Sequence, residues 1–100
     1  MTSYRTASTD RLLHAIRSMR STEELYQLLE DVCTIKEIRD MAQRFDTAVL
    51  LSTGASYQAI SSEIGISSAT ISRVNRCLAY GSGGYRVAID RLKEQENNDD

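Results

Sequence analysis

The sequence predicts a single all-α domain of six helices, and three observations lead to that prediction. The chain of 100 residues contains no proline, so no residue breaks a helix by lacking a backbone N–H. Its apolar residues recur three and four positions apart, and its β-branched residues do not alternate as they would in strands. Residues 21–24 and 34–37 both have the form of a capping box, in which a hydroxyl and a carboxylate satisfy the free amides at a helix start.

The first three predicted helices occupy the N-terminal half of the chain. Thr9 or Asp10 is expected to cap the first helix, and the two capping boxes begin the second and the third. The third helix runs from about residue 35 to residue 52, and Gly54 follows its end, where a residue that tolerates positive φ is common. The apolar residues expected to face inward are Leu12, Leu13, Ile16, Met19, Leu25, Leu28, Leu29, Val32, Ile38, Met41, Ala42, Phe45 and Val49.

Three further helices are predicted in the C-terminal half. The first two span about residues 57–64 and 68–80, and the last begins at about residue 85. The Gly-Ser-Gly-Gly run at residues 81–84 is expected to be a flexible joint. The residues of the last helix expected to face inward are Ala88, Ile89 and Leu92.

The domain organisation follows from these elements. We expect a flexible N-terminal arm at residues 1–9, a helical domain at residues 10–95 and a disordered acidic tail at residues 96–100. There is no N-terminal apolar stretch of signal-peptide length and no run of about 18 apolar residues, so we expect a cytoplasmic protein that does not bind a membrane. Cys33 and Cys77 lack the spacing of a disulfide framework or a metal site, and are expected to be buried or half-buried thiols.

The net charge of −2 is distributed unevenly along the chain. Residues 1–22 and residues 64–89 each carry a net charge of +3, whereas residues 23–63 carry −5 and residues 90–100 carry −3. Both positive zones lie where a surface facing DNA would need them. The distribution therefore favours nucleic-acid binding, although the total charge does not.

Residues 56–80 have the features of a helix-turn-helix, in which the second of two steeply crossed helices enters the major groove. Gly65 supplies the left-handed backbone conformation that the turn needs. Ser56 and Ser67 precede the two helices as caps, and Ser61 is the small residue expected where the helices approach closely. The apolar residues expected to pack the helices and the turn together are Ile60, Ile64, Ile66, Ile71 and Val74. The alternative is a plain helical hairpin. A plain hairpin would explain the glycine, but not the two serine caps together with the absence of acidic residues from position 64 to position 89.

The outer face of the second helix is the predicted DNA-binding surface. Short side chains at its N-terminal end would let the backbone come close to the base edges, where hydroxyls hydrogen-bond and the Ala69 methyl contacts thymine. Arg73 and Arg76 suit phosphate contacts, and the start of the first helix can also reach the DNA backbone. The predicted DNA-binding residues are Ser56, Gln58, Ser67, Ser68, Ala69, Ser72, Arg73 and Arg76.

The sequence GISSATISRVNRCL at residues 65–78, followed by YGSGGY at residues 80–85, resembles the Trp repressor family and specifically its YerC/YecD branch. The six-helix layout is similar to that family over about residues 10–95. This resemblance implies an intertwined homodimer, in which helices of both chains form one core. It also implies that two helix-turn-helix units face a palindromic operator.

The resemblance further implies a pocket for a small-molecule effector. The Trp repressor holds its ligand between two arginines, of which the one on the recognition helix matches Arg73. The other falls at Gln43 in an ungapped comparison, with Arg44 beside it on a different helical face. Thr70 matches a threonine of the pocket, whereas Val74 replaces a glycine that lines the indole slot. The five residues form the predicted effector pocket, and we expect a co-repressor other than tryptophan, or none.

The favoured hypothesis is a sequence-specific regulator of transcription, a repressor, that binds double-stranded DNA as a homodimer through residues 67–76. A helical adaptor that binds a protein of the transcription machinery through the same hairpin is the alternative, kept open by the acidic segment at residues 23–63. The single histidine, His14, has no partner pattern, and no nucleophile with a base and an orienting group is recognisable. We therefore expect no enzyme, no metal site and no resident cofactor.

Overall fold

The computed structural model describes residues 3–98, and this part of the chain contains six α-helices and no strand. The chain divides into two compact units, Met1–Ile38 and Arg39–Asp100. The helices are α1 (Ala7–Ser18), α2 (Thr22–Val32), α3 (Ile35–Ser52), α4 (Tyr57–Ile64), α5 (Ser68–Tyr80) and α6 (Gly84–Asn98). The predicted all-helical class is confirmed. Within residues 3–98, no helix has the length and hydropathy needed to cross a membrane.

In the first unit, α1 begins earlier than expected. Thr6 has an extended backbone, and its hydroxyl accepts a hydrogen bond from the Thr9 amide at 3.2 Å. The prediction that Thr9 or Asp10 caps α1 is therefore wrong, because both residues lie inside the first turn of the helix. The Asp10 carboxylate interacts favourably there with the positive end of the helix dipole. Residues 7–9 accordingly belong to α1 and not to an arm, whereas residues 1 and 2 lie outside the described residues.

Both predicted capping boxes are present. The Thr34 hydroxyl accepts from the Glu37 amide at 3.0 Å, and the Glu37 carboxylate accepts from the Thr34 amide at 2.8 Å. At the start of α2, Ser21 accepts from the Glu24 amide at 3.1 Å. The Glu24 carboxylate accepts from the Arg20 amide at 2.7 Å, one residue earlier than the standard box.

The apolar stripes of α1 and α2 are not buried in the single chain. Neither helix contains a buried residue, and Leu13, for example, keeps 54% of its surface exposed. The predicted inward-facing residues that are instead exposed are Leu12, Leu13, Val32, Met41 and Ala42. The helical spacing is correct in each case, but these side chains are exposed in the structure of residues 3–98.

The second unit has a core of its own. Ala48 of α3, Val74 and Leu78 of α5, and Ile89 of α6 form a buried cluster. The residues packed against this cluster are Phe45, Val49, Leu51 and Tyr85, and the rings of Phe45 and Tyr85 lie 6.2 Å apart. Helix α4 packs against α5, and α5 packs against α6. The second unit thus presents α5 with one face buried and the other free.

Helix α6 begins close to the predicted position, but its C-terminal half differs from the prediction. Leu92, expected to face inward, is 44% exposed because the core ends one turn earlier, at Ile89. The helix continues to Asn98, so residues 96–98 are helical and not a disordered tail. Neither glycine nor proline interrupts residues 85–98, and the lysine, glutamates and glutamine of that stretch favour helix. Residues 99 and 100 lie outside the described residues.

Candidate nucleic-acid interface

The turn between α4 and α5 depends on a glycine, as predicted. Gly65 has φ 84° and ψ 26°, in the left-handed region, and its amide donates to the Ser61 carbonyl at 2.9 Å. A Cβ on Gly65 would meet no atom within 4 Å, so the requirement for glycine is conformational and not one of space. A side chain here would strain the turn without clashing.

Ser61 does more than provide a small side chain. Its hydroxyl donates to the Ile66 carbonyl at 2.9 Å, and this partly buried bond joins α4 to the far side of the turn. The predicted packing between the two helices is also present, since Ile60, Ile71 and Val74 are buried. Ile64 and Ile66 are half-buried around the same turn.

Serines cap both helices. Ser56 accepts from the Ala59 amide at 3.1 Å, and Ser67 accepts from the Thr70 amide at 3.2 Å. Ser67 and Thr70 also share a hydroxyl–hydroxyl hydrogen bond of 3.1 Å. The predicted starts of α4 and α5 are confirmed, and both hydroxyls contribute to helix capping whatever else they contact.

All of the residues predicted to contact DNA lie at the surface of the second unit. Ser68, Ala69, Ser72 and Arg73 occupy the exposed face of α5, opposite its buried residues, and Arg76 lies further along the helix. The remaining three are exposed at the starts of α4 and α5. The whole set is from here on called the recognition surface: Ser56, Gln58, Ser67, Ser68, Ala69, Ser72, Arg73 and Arg76.

Four of the five residues predicted for an effector pocket line one cavity. This cavity, called the arginine cavity, has a volume of about 440 Å³ and lies between α3, α5 and α6. Its lining residues are Arg44, Thr70, Arg73, Val74, Cys77 and Tyr85. Val74 is almost fully buried and forms part of its wall.

Gln43, the fifth predicted residue, lines two other cavities and is absent from this one. Arg44, which was also predicted for the pocket, is the residue of α3 that lines the arginine cavity. The reason is helical periodicity. Arg44 lies four residues before Ala48, which is buried in the core against α5, so the two share one face of α3.

The sequence analysis did not place Cys77 or Tyr85 at the arginine cavity, although both line it. Cys77 was expected to be buried or half-buried, but it is exposed, because it lies four residues after Arg73 and shares that face of α5. The spacing of Thr70, Arg73 and Cys77 is the signal that would have placed Cys77 at the cavity. Tyr85, which also lines the cavity, packs against Phe45, whereas Tyr80 is 87% exposed.

Among residues 3–98, no three His, Cys, Asp or Glu side chains lie close enough together to hold a metal ion. His14 lines a shallow surface cavity with Arg17 and Ser18.

Comparison with known proteins identifies the family. The model of the Trp repressor protein family matches residues 7–93. The uncharacterized protein YerC of Bacillus subtilis (strain 168) is 48% identical over 87 residues, which is 87% of this chain and 84% of YerC.

Two crystal structures share the fold. A TrpR-like protein from Eubacterium eligens ATCC 27750 is 44% identical with a TM-score of 0.86, over 89% of this chain and 92% of that one. A Staphylococcus aureus protein proposed to be a Trp repressor is 40% identical with a TM-score of 0.85, over 89% of each chain. The predicted resemblance is thereby confirmed, and the chain belongs to the Trp repressor family.

Proposed function

We propose that this protein is a cytoplasmic, sequence-specific DNA-binding regulator that represses transcription. Membership in the Trp repressor family suggests a DNA-binding transcriptional regulator, and not an enzyme. The observation that carries the proposal is the exposed face of α5, which combines small and hydroxyl side chains at its N-terminal end with Arg73 and Arg76 further along. That arrangement is what a recognition helix needs in a major groove.

In this proposal, α4 and α5 form a helix-turn-helix. Ser68, Ala69 and Ser72 are short enough for α5 to approach base edges closely, and they set the sequence preference. Arg73 and Arg76 contact phosphates and contribute affinity that depends on salt. The exposed residues at the start of α4 contact the DNA backbone, where helix N-terminal amides also attract phosphate.

The functional form in this proposal is a homodimer. Its support is the exposed apolar surface of the first unit, where α1 and α2 contain no buried residue. A second copy would cover these stripes and add a core that a short chain lacks. The two recognition surfaces would then bind palindromic half-sites about 34 Å apart, one turn of DNA.

We also propose that any co-repressor of this protein is not tryptophan. Val74 places a branched side chain in the wall of the arginine cavity, where the resemblance implies a glycine beside the indole. A thermal-shift screen of amino acids checks this, since a ligand at one hundred times its Kd stabilises a protein by about 2.7 kcal/mol. Stabilisation by tryptophan alone would contradict this part of the proposal.

The decisive experiment is selection of bound sequences from a random duplex pool, followed by affinity measurements on the selected site at several salt concentrations. We expect a palindrome. In the Arg73→Ala, Arg76→Ala variant the slope of log K against log salt should decrease by about 0.9 for each phosphate that the variant no longer neutralises.

Arg91→Ala, Lys93→Ala is the matched control, because it also removes two exposed positive charges, both on α6 and neither part of the recognition surface. If the double variant binds the selected site with unchanged affinity and unchanged salt slope, α5 is not the DNA-binding helix.

A second candidate function is an adaptor that binds a protein of the transcription machinery. A cavity of about 540 Å³ beside α4 has Asp46 and Glu63 at its wall and Val49, Leu50 and Ile64 as apolar lining, which suits a basic, apolar partner segment. Retention on duplex DNA that falls steeply with salt favours the regulator. Retention only by a protein partner favours the adaptor.

A further inference from the structure

Tyr80 is the last residue of α5, and 87% of its surface is exposed. Tyrosine combines a large apolar ring with a hydroxyl, and side chains of this kind are enriched where one molecule contacts another. The residue that follows adds no cover, because a Cβ on Gly81 would clash with the carbonyl oxygen of Cys77 and position 81 must stay small. The ring and the hydroxyl of Tyr80 are therefore open to a partner.

The position of Tyr80 on α5 places it on the face proposed to bind DNA. Tyr80 lies four residues after Arg76, which lies three residues after Arg73, which in turn lies four residues after Ala69. Residues three and four apart share one face of a helix, so these four side chains form a single stripe. All four are exposed, and the stripe is opposite the buried residues of α5.

The end of α5 reaches the edge of a major groove when its N-terminal end lies at the bases. At about 1.5 Å per residue, Tyr80 lies roughly 16 Å along the helix axis from Ala69. The major groove is only about 12 Å wide, so a straight helix with Ala69 against the bases has its last turn beside the phosphates. The sequence has no acidic residue from position 64 to position 89, so no carboxylate of that stretch repels a phosphate.

We propose that the Tyr80 hydroxyl donates a hydrogen bond to a DNA phosphate at the edge of the groove, near the phosphate that Arg76 contacts. A phenol hydroxyl is a donor, and phosphate oxygens accept hydrogen bonds. This contact rests on the proposed function, because it adds a residue to the DNA-binding face of α5. Tyr80 is thus a positioning residue, which holds α5 in the groove and reads no base.

A hydroxyl contact differs from an arginine contact in how binding depends on salt. An arginine that neutralises a phosphate releases counterions, so its loss lowers the slope of log K against log salt by about 0.9. Tyrosine carries no positive charge, so loss of its hydroxyl should weaken binding and leave that slope unchanged. Because phosphates carry no sequence information, the weakening should be similar for every duplex.

The first experiment compares the parent protein with Tyr80→Phe on the selected site and on random duplex at several salt concentrations. The variant keeps the ring, and it should fold as the parent does because the side chain is exposed. We expect about tenfold weaker binding of both duplexes, an unchanged salt slope and the same selected sequence. Tyr4→Phe is the matched control, since it removes the hydroxyl of a tyrosine that is 73% exposed and lies outside the helix-turn-helix.

The second experiment locates the phosphate. Single phosphates of the selected site are replaced by uncharged methylphosphonates, and the affinities of the parent and Tyr80→Phe proteins are measured for each duplex. At the phosphate that Tyr80 contacts, replacement should weaken binding by the parent about tenfold more than binding by the variant. At the phosphate that Arg76 contacts, replacement should weaken both proteins equally. A purely structural role of Tyr80 would single out no phosphate.

The outcomes separate this contact from the proposed function. If the parent binds the selected site and Tyr80→Phe binds it equally well, the contact is refuted and the proposed function stands. A parent protein that binds no duplex would refute both. A changed sequence preference or a changed salt slope in Tyr80→Phe would also overturn the contact, since Tyr80 would then act on a base or through Arg76. So would an altered monomer–dimer equilibrium, because Tyr80 would then lie between two copies.

Discussion

The two units of the chain bury their apolar side chains to very different extents. In the second unit, Ile60 and Ile71 are fully buried, and a cluster around Val74 joins three helices. In the first unit, α1 and α2 carry apolar residues at the same helical spacing, yet neither helix has a buried residue. The same kind of pattern thus leads to a core in one unit and to an exposed stripe in the other.

The difference shows which unit is complete in a single chain. The second unit needs no further cover for its core and presents a free polar face on α5. The first unit leaves large apolar side chains such as Leu13, Tyr26 and Val32 more than half exposed. Exposed apolar patches of this kind mark interaction surfaces, and this supports our proposal that the first unit mediates dimerisation and the second binds DNA.

The largest expected effect is on the core of the second unit. Ile71→Ala should lower the free energy of unfolding by about 2–5 kcal/mol, because it leaves a cavity among fully buried neighbours. Urea titration followed by circular dichroism measures the loss. Leu13→Ala, measured under the same conditions at protein concentrations low enough to favour the monomer, should cost far less. Equal losses for the two variants would remove the distinction between the units.

The next effect concerns association through the first unit. Leu13→Glu combined with Val32→Glu should weaken dimerisation at least about a hundredfold, or about 2.7 kcal/mol, because it would bury unpaired charges. Light scattering after size exclusion should then report the single-chain mass of 11.2 kDa, whereas the parent protein should elute at twice that mass.

Gln27→Glu is the control for added charge on an already polar, exposed position of α2. A parent protein that is monomeric at every concentration would contradict dimerisation through the first unit.

A smaller effect is expected at the turn. Gly65→Ala should cost about 1–2 kcal/mol, because alanine is strained at φ 84°. Gly84→Ala is the matched comparison, since its backbone lacks a positive φ, and its stability should be nearly unchanged. Thermal unfolding of both variants measures the difference, and similar stabilities would mean that the turn relaxes to another conformation.

The smallest expected effects are at the helix caps, one in each unit. Ser67→Ala and Ser21→Ala each remove a cap hydroxyl and should each cost about 1 kcal/mol if the units unfold together. Native-state hydrogen exchange measures whether the two units open together or independently. If the units open independently, Ser21→Ala should accelerate exchange in α2 and leave α5 unaffected.

The features that were predicted correctly depend on interactions between residues that are close together in the chain. The capping boxes, the glycine turn, the serine caps of α4 and α5 and the buried isoleucines all depend on residues a few positions apart, and each is found where expected. These interactions depend on backbone geometry that is common to all helices. Their positions could therefore be inferred without knowledge of the tertiary structure.

The start of α1 and the end of α6 were wrong for local reasons, whereas the other wrong predictions arise where a residue's surroundings come from distant parts of the chain. Gln43 lies outside the arginine cavity, whereas Arg44 lines it, because the face of α3 that meets α5 is set by Ala48, which an ungapped comparison does not reveal. Cys77 is exposed because α5 buries only one narrow face. The recognition surface and the effector pocket remain predictions about ligands, whereas the positions of their residues are now known.

The hydrogen bond from Ser61 to the Ile66 carbonyl has a consequence for redesign of the turn. Its acceptor is a backbone atom, so residue 66 can change identity and keep the bond, provided its side chain still fills a half-buried space. Its donor is a side chain, so position 61 tolerates far less variation. To alter the proposed DNA sequence preference of α5, an engineer would therefore keep Ser61 unchanged and could vary the residue at position 66.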